Sequence, residues 1–243
     1  MPAGVDPVIS TARRKGLAGR ACSRALPICD LYAIMKDQPA IRGLTRATKD
    51  RAGPLSPLPV VFPDDEAPVV RSVDGVRELT RMRWGLPSPA FATKGRPNDP
   101  GVAIIRSLKS PHWRPWLSPE HRCLVPFTSL AQYETTPERR KLPVWYAVDE
   151  SRPLMVFAGV WCRWTGVRKV EEGEVSVDVF GLLTVDATKT VGAMNPKAFP
   201  LILTEADEMD VWLRAPWSEA SKLLRPLPAP GLSVVARGRR KDG

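Results

Sequence analysis

The chain of 243 residues is 43% hydrophobic, which is enough apolar material to bury one core and excludes an intrinsically disordered composition. Its formal net charge is +10 at pH 7, which favours a polyanionic partner. The longest apolar run, Leu154 to Cys162, is far shorter than the roughly 18 residues of a membrane-spanning helix, so we expect no membrane association.

Much of the positive charge lies at the two ends of the chain. Residues 1–28 carry a net charge of +4 and residues 236–243 a net charge of +3, which leaves the body only mildly basic. We therefore interpret residues 1–28 as a basic, disordered N-terminal extension and residues 231–243 as a basic C-terminal tail. Arginines interrupt the apolar stretch that a secretory signal needs. The extension is similar to an organelle transit peptide, and a translation start assigned upstream of the true one explains it equally well.

The first elements of the body are predicted from apolar spacing and from proline. Ala40, Ile41 and Leu44 recur at helical spacing and predict a short helix over Asp37–Leu44. Four prolines between Ala52 and Asp65 argue against a continuous helix or a central strand in that connection.

From Leu142 onward the pattern is typical of β-structure. Runs rich in β-branched and aromatic residues predict strands at Pro143–Val148, Met155–Trp161, Val175–Val185 and Leu201–Leu203. A helix should follow from Thr204 to Leu213, with Thr204 and Asp207 forming a capping box. This order of elements predicts a single α+β domain over residues 29–230, built on a mainly antiparallel, curled and barrel-like sheet with short flanking helices.

The four cysteines do not form a recognisable metal or redox motif. They have no CxxC pair and no short spacing to histidine, and they stand at Cys22, Cys29, Cys123 and Cys162. We therefore expect no metal and no cofactor. Reduced thiols and the lack of a secretory signal predict a cytoplasmic protein.

Five short blocks occur in order along the chain. They are Cys29–Tyr32 (CDLY), Met82–Leu86 (MRWGL), Arg122–Pro126 (RCLVP), Phe157–Trp161 (FAGVW) and Asn195–Leu203 (NPKAFPLIL). In this order they resemble the SOS-response-associated peptidase family, whose members capture abasic sites in single-stranded DNA. Five ordered blocks are far more specific than one motif. The resemblance covers roughly Cys29 to Pro216 and implies a cysteine-dependent hydrolase that crosslinks to DNA.

The resemblance assigns the nucleophile to Cys29. In the family this cysteine follows the initiator methionine, and after methionine removal its α-amine and thiol close a thiazolidine ring on the aldehyde of the abasic sugar. A free amine forms an imine, whereas the lone pair of a peptide nitrogen is delocalised into the carbonyl. Because 28 residues precede Cys29, crosslinking requires a later translation start, trimming by a protease, or the self-processing that the peptidase label implies. The alternative is a small buried hydrophobic residue.

Two proton-transfer positions of the family carry amides in this chain. The family's Glu, which assists proton movements around the imine, falls on Gln132, and its His falls on Asn195. An amide forms hydrogen bonds but accepts no proton near neutral pH. Glu134 would point to the same face of an extended strand about 7 Å away. An exposed loop glutamate is the simpler interpretation of that residue.

The family's DNA contacts are also partly kept. Its Asn-x-Arg element reads Ile104-Ile105-Arg106, which retains the phosphate-binding Arg106 and loses the sugar-binding Asn to Ile104. Lys197 lies near a phosphate-binding Arg of the family and would hold phosphate with less bidentate geometry.

Cations also alternate with aromatic residues in two places. Arg83 precedes Trp84, and Trp113 precedes Arg114. A single-strand site needs this combination, because cations neutralise phosphates and aromatic rings stack on bases. We expect Trp161, Trp164 and Trp212 to serve mainly in packing.

Two hypotheses follow for the function. The first is an abasic-site processing protein of the SOS response and DNA repair, which binds single-stranded DNA and crosslinks through Cys29. The second is a catalytically degenerate single-stranded DNA-binding module, because Gln132, Asn195 and Ile104 replace the family's Glu, His and Asn. In both cases we expect a monomer in the cytoplasm, on the nucleoid when bound to DNA. An ordinary thiol protease is disfavoured because no His stands at a matching position.

Overall fold

Strands dominate the chain, with short helices between them. The computed structural model describes residues 31–186, 198–228 and 230–242. The first half contains, in chain order, β1 (Leu31–Ile34), α1 (Gln38–Thr45), β2 (Lys49–Asp50), β3 (Leu58–Val61), β4 (Glu66–Val73), β5 (Val76–Trp84), α2 (Ala90–Thr93), β6 (Ile104–Ile105) and two 3₁₀ helices at Pro111–Trp116 and Pro119–His121. The second half contains β7 (Arg122–Phe127), β8 (Ser129–Thr135), β9 (Lys141–Ala147), β10 (Met155–Val167), β11 (Glu174–Asp186), β12 (Ala198–Pro200), β13 (Ile202–Leu203), α3 (Ala206–Arg214), α4 (Trp217–Ala220), a 3₁₀ turn at Ser221–Leu223 and β14 (Ser233–Arg237).

The larger sheet closes on itself. Strands β5, β4, β7, β10 and β11 pair in this order as antiparallel neighbours, and β11 then pairs in parallel with β5. The closing register sets Val179 opposite Arg83 and Phe180 opposite Trp84. The other four strands of this sheet lie beside the ring: β2 on β5, β6 and β12 on β11, and β13 on β10. A closed ring leaves its five strands without a free edge. The α+β, mainly antiparallel and barrel-like prediction is confirmed.

The smaller sheet has five antiparallel strands in the order β14, β9, β8, β1 and β3. Its residues alternate between two faces, as strand geometry requires. Tyr32, Leu130 and Tyr146 join the main core, whereas Leu31 and Trp145 belong to a second, smaller cluster on the other face.

Helix α3 covers β7 and explains why every residue of that strand is buried. Trp212 of α3 is fully buried, and its Nε1 donates to the backbone oxygens of Cys123 and Gly159. Gly159 permits this close packing, because a Cβ there would lie 2.9 Å from Cys123 Sγ and 3.2 Å from Gly181 O. The FAGVW block is therefore a packing motif.

Arg122, the first residue of the RCLVP block and of β7, holds the carboxyl end of α3 against the sheet. It is fully buried, its Nε donates to Leu117 O, and its Nη1 donates to Trp212 O and Ala215 O. Its guanidinium carbon also lies 5.2 Å from the centre of the Trp212 ring. Burial lowers the pKa of Arg122 to about 10, which leaves it charged at neutral pH. A buried cation at the negative end of a helix dipole is favourably placed.

Residues 231–242 belong to the folded domain, which corrects the prediction of a C-terminal tail. Strand β14 pairs with β9, and Arg239 O accepts a hydrogen bond from Trp145 Nε1 at 2.8 Å. Asp242 is fully buried and accepts from Ser129 Oγ at 2.5 Å and from Arg152 Nε at 2.8 Å. The net charge of this segment does not indicate its packing, because the partners of its residues lie about ninety positions earlier in the chain.

The predicted helices occur with one change in capping. Helix α1 is confirmed, and Asp37 Oδ1 accepts from Ala40 N at its start. Helix α3 begins later than predicted, with Glu205 as N-cap residue, and Glu208 instead of Asp207 supplies the carboxylate. The longer Glu side chain reaches back to the backbone nitrogen, as in the standard capping box.

The proline-rich connection holds no helix and no central strand in the structure. It contains only β3, which lies at the edge of the smaller sheet. An edge strand tolerates a proline because one side of its backbone needs no partner. Among the described residues, no helix is long and apolar enough to cross a membrane.

Candidate nucleic-acid interface

An open groove of about 1240 Å³ lies between the end of β6, the 3₁₀ helices that follow it and the segment after α3. Arg106, Lys109 and Arg114 line it, and no Asp or Glu stands among its described lining residues. In the described ranges, neither Arg106 nor Arg114 forms an ion pair with a carboxylate. The groove therefore carries an uncompensated positive charge that attracts anions. We call it the basic groove.

Strand pairing positions Arg106 at the groove. Ile104 and Ile105 pair in parallel with Leu182 and Leu183 of β11, and Thr184 Oγ1 donates to Ile105 O at 2.8 Å. The chain leaves the sheet directly after this contact, so Arg106 is exposed. Ile104 itself is half-buried and holds the strand, with no polar group to offer a sugar.

The 3₁₀ helix Pro111–Trp116 positions the second cation. Trp113 is 6% exposed and contacts the rings of His112 and Trp116 at centroid distances of 4.5 Å and 5.9 Å. This buried ring anchors the turn, and the neighbouring Arg114 extends into the groove. The expected stacking of a base on Trp113 is therefore not supported, whereas Arg114 remains available.

Trp217 is the one aromatic residue among the described lining residues of the basic groove, and the sequence patterns did not indicate it. It is half-buried at the start of α4, and its ring lies 6.4 Å from the ring of Trp212 and 5.6 Å from the guanidinium carbon of Arg122. No motif marked this tryptophan. The resemblance to the family ends at Pro216, the residue before it, and nothing else nearby in the sequence indicates a role for Trp217.

Trp84 lies in the core, which corrects its expected role as a base-stacking residue. It is 1% exposed, its ring stacks on Phe180 at 6.3 Å, and Tyr32 meets it edge-on at 4.9 Å. Its Nε1 donates to Ala103 O. Strand β5 has partners on both sides in the closed ring, so the Trp84 ring is enclosed.

Arg83 is neutralised by two carboxylates, which corrects its expected phosphate contact. It is 8% exposed, with Nε 2.6 Å from Asp64 Oδ1 and Nη1 2.8 Å from Glu172 Oε1. Asp64 also binds Lys169 at 2.8 Å. This cluster holds the turn before β4 against the turn between β10 and β11, so its role is structural.

Asp64→Asn is expected to destabilise the protein at pH 7, and the difference from wild type should shrink on acidification. Burial alone would raise the pKa of Asp64, but hydrogen bonds and positive charge from Arg83 and Lys169 outweigh it and hold the pKa below its usual value. A carboxylate with a lowered folded-state pKa stabilises the fold above its unfolded pKa and loses this contribution as pH falls through the folded pKa. Urea unfolding at pH 7, 5 and 3 would measure this. A difference that stays constant with pH would contradict it.

Gln132 and Glu134 lie on the same face of β8. Gln132 is half-buried opposite Val144, and Leu31, two residues after Cys29 in sequence, pairs with the adjacent Ala131. Glu134 is on a strand and not on a loop, which corrects the simpler interpretation. Its Oε1 accepts from the hydroxyl of Tyr146 at 3.3 Å, and its Oε2 lies 2.6 Å from Arg237 Nη1.

The two cysteines within the described ranges are not available as nucleophiles. Cys123 and Cys162 are buried free thiols, and burial raises the pKa of both, for Cys162 to about 12. A thiol reacts as its thiolate, which such sites disfavour. Cys29, Asn195 and Lys197 lie outside the described residues. In the described part of the chain, no group of three or more His, Cys, Asp or Glu residues is arranged to hold a metal.

A closed α+β barrel with a basic groove, in which no carboxylate stands among the described lining residues, defines a class of protein suited to an anionic ligand. The family model described as SOS response associated peptidase (SRAP) matches residues 28–237, and the chain belongs to this family. Family membership associates the protein with the SOS response to DNA damage. No curated protein matches the chain.

Solved structures from bacteria share the fold. A Bordetella bronchiseptica protein superimposes with a TM-score of 0.64 at 20% identity, covering 86% of this chain and 98% of its own. A Bacteroides thetaiotaomicron protein has a TM-score of 0.60 at 20% identity, with 84% and 90% covered. A phage-related protein of Bordetella bronchiseptica also gives 0.60 at 20% identity, with 84% and 92% covered.

Proposed function

We propose that this protein binds single-stranded DNA in the basic groove and captures abasic sites covalently through Cys29. The observation that carries the proposal is the set of groove cations, Arg106, Lys109 and Arg114, with no acidic residue among the described lining residues. Trp217 adds an aromatic surface in the same groove. A single-strand site has two requirements: cations that neutralise phosphates, and an aromatic ring that stacks on a base.

The covalent step of the proposal needs no metal and no redox partner. The α-amine of Cys29 attacks the sugar aldehyde and water leaves, which gives an imine, and the thiol then adds across the C=N bond to close the ring. The thiol proton passes to the imine nitrogen, so the reaction is balanced. Self-processing by the peptidase activity of the family, or another route that removes residues 1–28, must expose the amine first.

Proton transfer in this mechanism is weaker than in the family pattern. Gln132 can orient the aldehyde by hydrogen bonding but cannot exchange a proton near neutral pH. Glu134 is the carboxylate of β8, and it contacts the hydroxyl of Tyr146 and the guanidinium group of Arg237. We propose that water and Glu134 share the proton movements that the family assigns to Glu and His.

The second candidate function is a single-stranded DNA-binding module without crosslinking. The favouring observation is that Ile104, in the position of the family's sugar-binding Asn, has a half-buried hydrocarbon side chain that cannot hydrogen-bond a sugar. Arg106 and Arg114 are unaffected by this loss, so DNA binding does not depend on it. For either function the proposal includes a monomer located in the cytoplasm and on nucleoid DNA when bound.

Replacing both groove arginines, as Arg106→Gln with Arg114→Gln, is expected to weaken binding of single-stranded DNA and to flatten its salt dependence. Each lost phosphate contact on a single strand reduces the slope of log K against log salt by about 0.7, so the slope should fall by about 1.4. Fluorescence anisotropy with a labelled oligonucleotide carrying a stable abasic analogue, at four salt concentrations, measures both quantities.

The matched control for this experiment removes the same charge elsewhere. Arg140, between β8 and β9, and Arg239, after β14, are exposed and do not line the basic groove. Arg140→Gln with Arg239→Gln should retain most of the affinity and the slope. Equal losses in the groove and control variants, or equal affinity of the wild type for single-stranded and duplex DNA, would refute binding in the groove.

A further inference from the structure

A second positively charged pocket, of about 460 Å³, lies at the carboxyl ends of α1 and α3. Its charged lining residues are Arg46, Arg77, Arg214 and Asp210. Arg46 follows the last residue of α1, Arg214 is the last residue of α3, and Arg77 comes from the start of β5. We call it the α-end pocket.

One carboxylate in the α-end pocket serves three guanidinium groups. Asp210 Oδ1 lies 2.5 Å from Arg77 Nη2 and 4.0 Å from Arg214 Nε, and its Oδ2 lies 3.3 Å from Arg46 Nη1. The lining therefore has two more positive than negative formal charges. Arg77 is buried while Arg46 and Arg214 are more than half exposed, so the excess faces the open side of the pocket.

The carboxyl ends of α1 and α3 do not neutralise this excess of positive charge. The carboxyl end of a helix carries about half a negative charge, so the ends of α1 and α3 together carry about one, which is less than the surplus of two on the arginines. Two carbonyls at the end of α1 also have partners: Thr45 O accepts from Arg77 Nη1 at 2.6 Å, and Arg42 O accepts from Ala47 N at 3.1 Å. An anion that enters the pocket therefore meets an excess of guanidinium groups.

The α-end pocket adjoins the basic groove through the end of α3. Arg214 lines the pocket, and Pro216 and Trp217, two and three residues later, line the groove. Two residues span at most about 7 Å of chain. Arg122 holds this end of α3 through Trp212 O and Ala215 O, which fixes the two sites relative to each other.

We infer that the α-end pocket binds a phosphate group, through Arg46 and Arg214 with Arg77 behind them. Guanidinium groups match phosphate oxygens in charge and in bidentate geometry. The phosphate belongs either to a DNA strand that continues past α3 from the basic groove or to free phosphate. Only the first source rests on the proposed function.

The test variant is Arg46→Gln with Arg214→Gln. Arg77 is left intact because it is buried and holds Thr45 O. In the first arm, thermal unfolding is followed with inorganic phosphate against chloride at equal ionic strength. The general effect of phosphate on protein stability acts on all variants alike. We expect the wild type and the Arg140→Gln, Arg239→Gln control to gain more in Tm than the test variant.

In the second arm, anisotropy is measured with single-stranded oligonucleotides of increasing length. Beyond the length that fills the basic groove, the wild type should gain affinity that the test variant lacks. Because the pocket holds one phosphate group, the slope of log K against log salt for the long strand should be about 0.7 lower in the test variant. The short strand and the charge control should show little change.

The outcomes separate the sources. Dependence on Arg46 and Arg214 in the DNA arm assigns the pocket to a backbone phosphate, and dependence in the phosphate arm alone assigns it to free phosphate. No dependence in either arm overturns the inference. If the wild type binds no DNA, the proposed function fails, while the phosphate arm still tests the pocket.

Discussion

A form of the protein that begins at Cys29 after methionine removal is expected to form a heat- and SDS-resistant adduct with abasic single-stranded DNA, and the chain that retains residues 1–28 is expected to form none. In the longer chain the nitrogen of Cys29 is part of a peptide bond and cannot form an imine. The thiol alone gives no thiazolidine, so the difference should be all or none. Denaturing gels with a labelled abasic oligonucleotide measure it.

The control for this prediction is Cys29→Ser in the shortened form. Its α-amine is free, so it can form a reversible imine, but it lacks the thiol that closes the stable ring. A stable adduct from a chain whose intact N-terminus is verified by sequencing would contradict the prediction. A shortened form that binds the DNA without reacting would instead support the binding-module function.

Arg122→Ala is expected to lower the free energy of unfolding by about 3 kcal/mol or more. The change removes the donor for three carbonyls, those of Leu117, Trp212 and Ala215, and leaves a void beneath α3. Buried acceptors without a donor each cost about 1 to 3 kcal/mol, and the void adds to this. Urea denaturation followed by tryptophan fluorescence gives the difference.

Arg163→Ala is the matched control for Arg122→Ala. Arg163 lies on β10, is mostly exposed and pairs with Asp178 at 3.2 Å. Exposed ion pairs contribute about 0 to 1 kcal/mol, so its loss should be small. Arg122→Met, which restores much of the volume but no donor, should fall between wild type and Arg122→Ala. Similar losses for the two alanine variants would show that the contacts of Arg122 are not what stabilises α3.

The later strands could be predicted because their own sequences are rich in apolar residues with a preference for β-structure. β10 and β11 are long runs of β-branched and aromatic residues, and both occur where the sequence predicts strands. β4 and β5 were missed because they carry charges, such as Arg71, Arg77 and Glu78. Their partners are remote: Arg71 binds Asp178 and Arg77 binds Asp210. The sequences of β4 and β5 therefore look too polar for buried strands, because the residues that neutralise their charges lie far away in the chain.

The candidate site was predictable only in part for a similar reason. Arg106 and Arg114 line the basic groove, because Arg106 directly follows β6 and Arg114 lies in the 3₁₀ helix that Trp113 anchors. Their contact with DNA stays a prediction. Arg83 and Trp84 show the same cation-aromatic pattern in sequence but lie inside the structure. What decides this is the parallel pairing of β5 with β11, across nearly a hundred residues of chain. A linear pattern carries no information about that pairing.

Strand β14 has a consequence for how the protein is made. Trp145 of β9 and its partner Arg239 are separated by 94 positions, so β9 is synthesised long before the strand that covers it. During that interval one edge of the smaller sheet is open to pairing with other chains. Pro143 within β9 lacks a backbone N–H and interrupts such pairing, since its carbonyl alone is later used by Gly238 N. The proline thus leaves one donor fewer for pairing with another chain at this edge until β14 is in place.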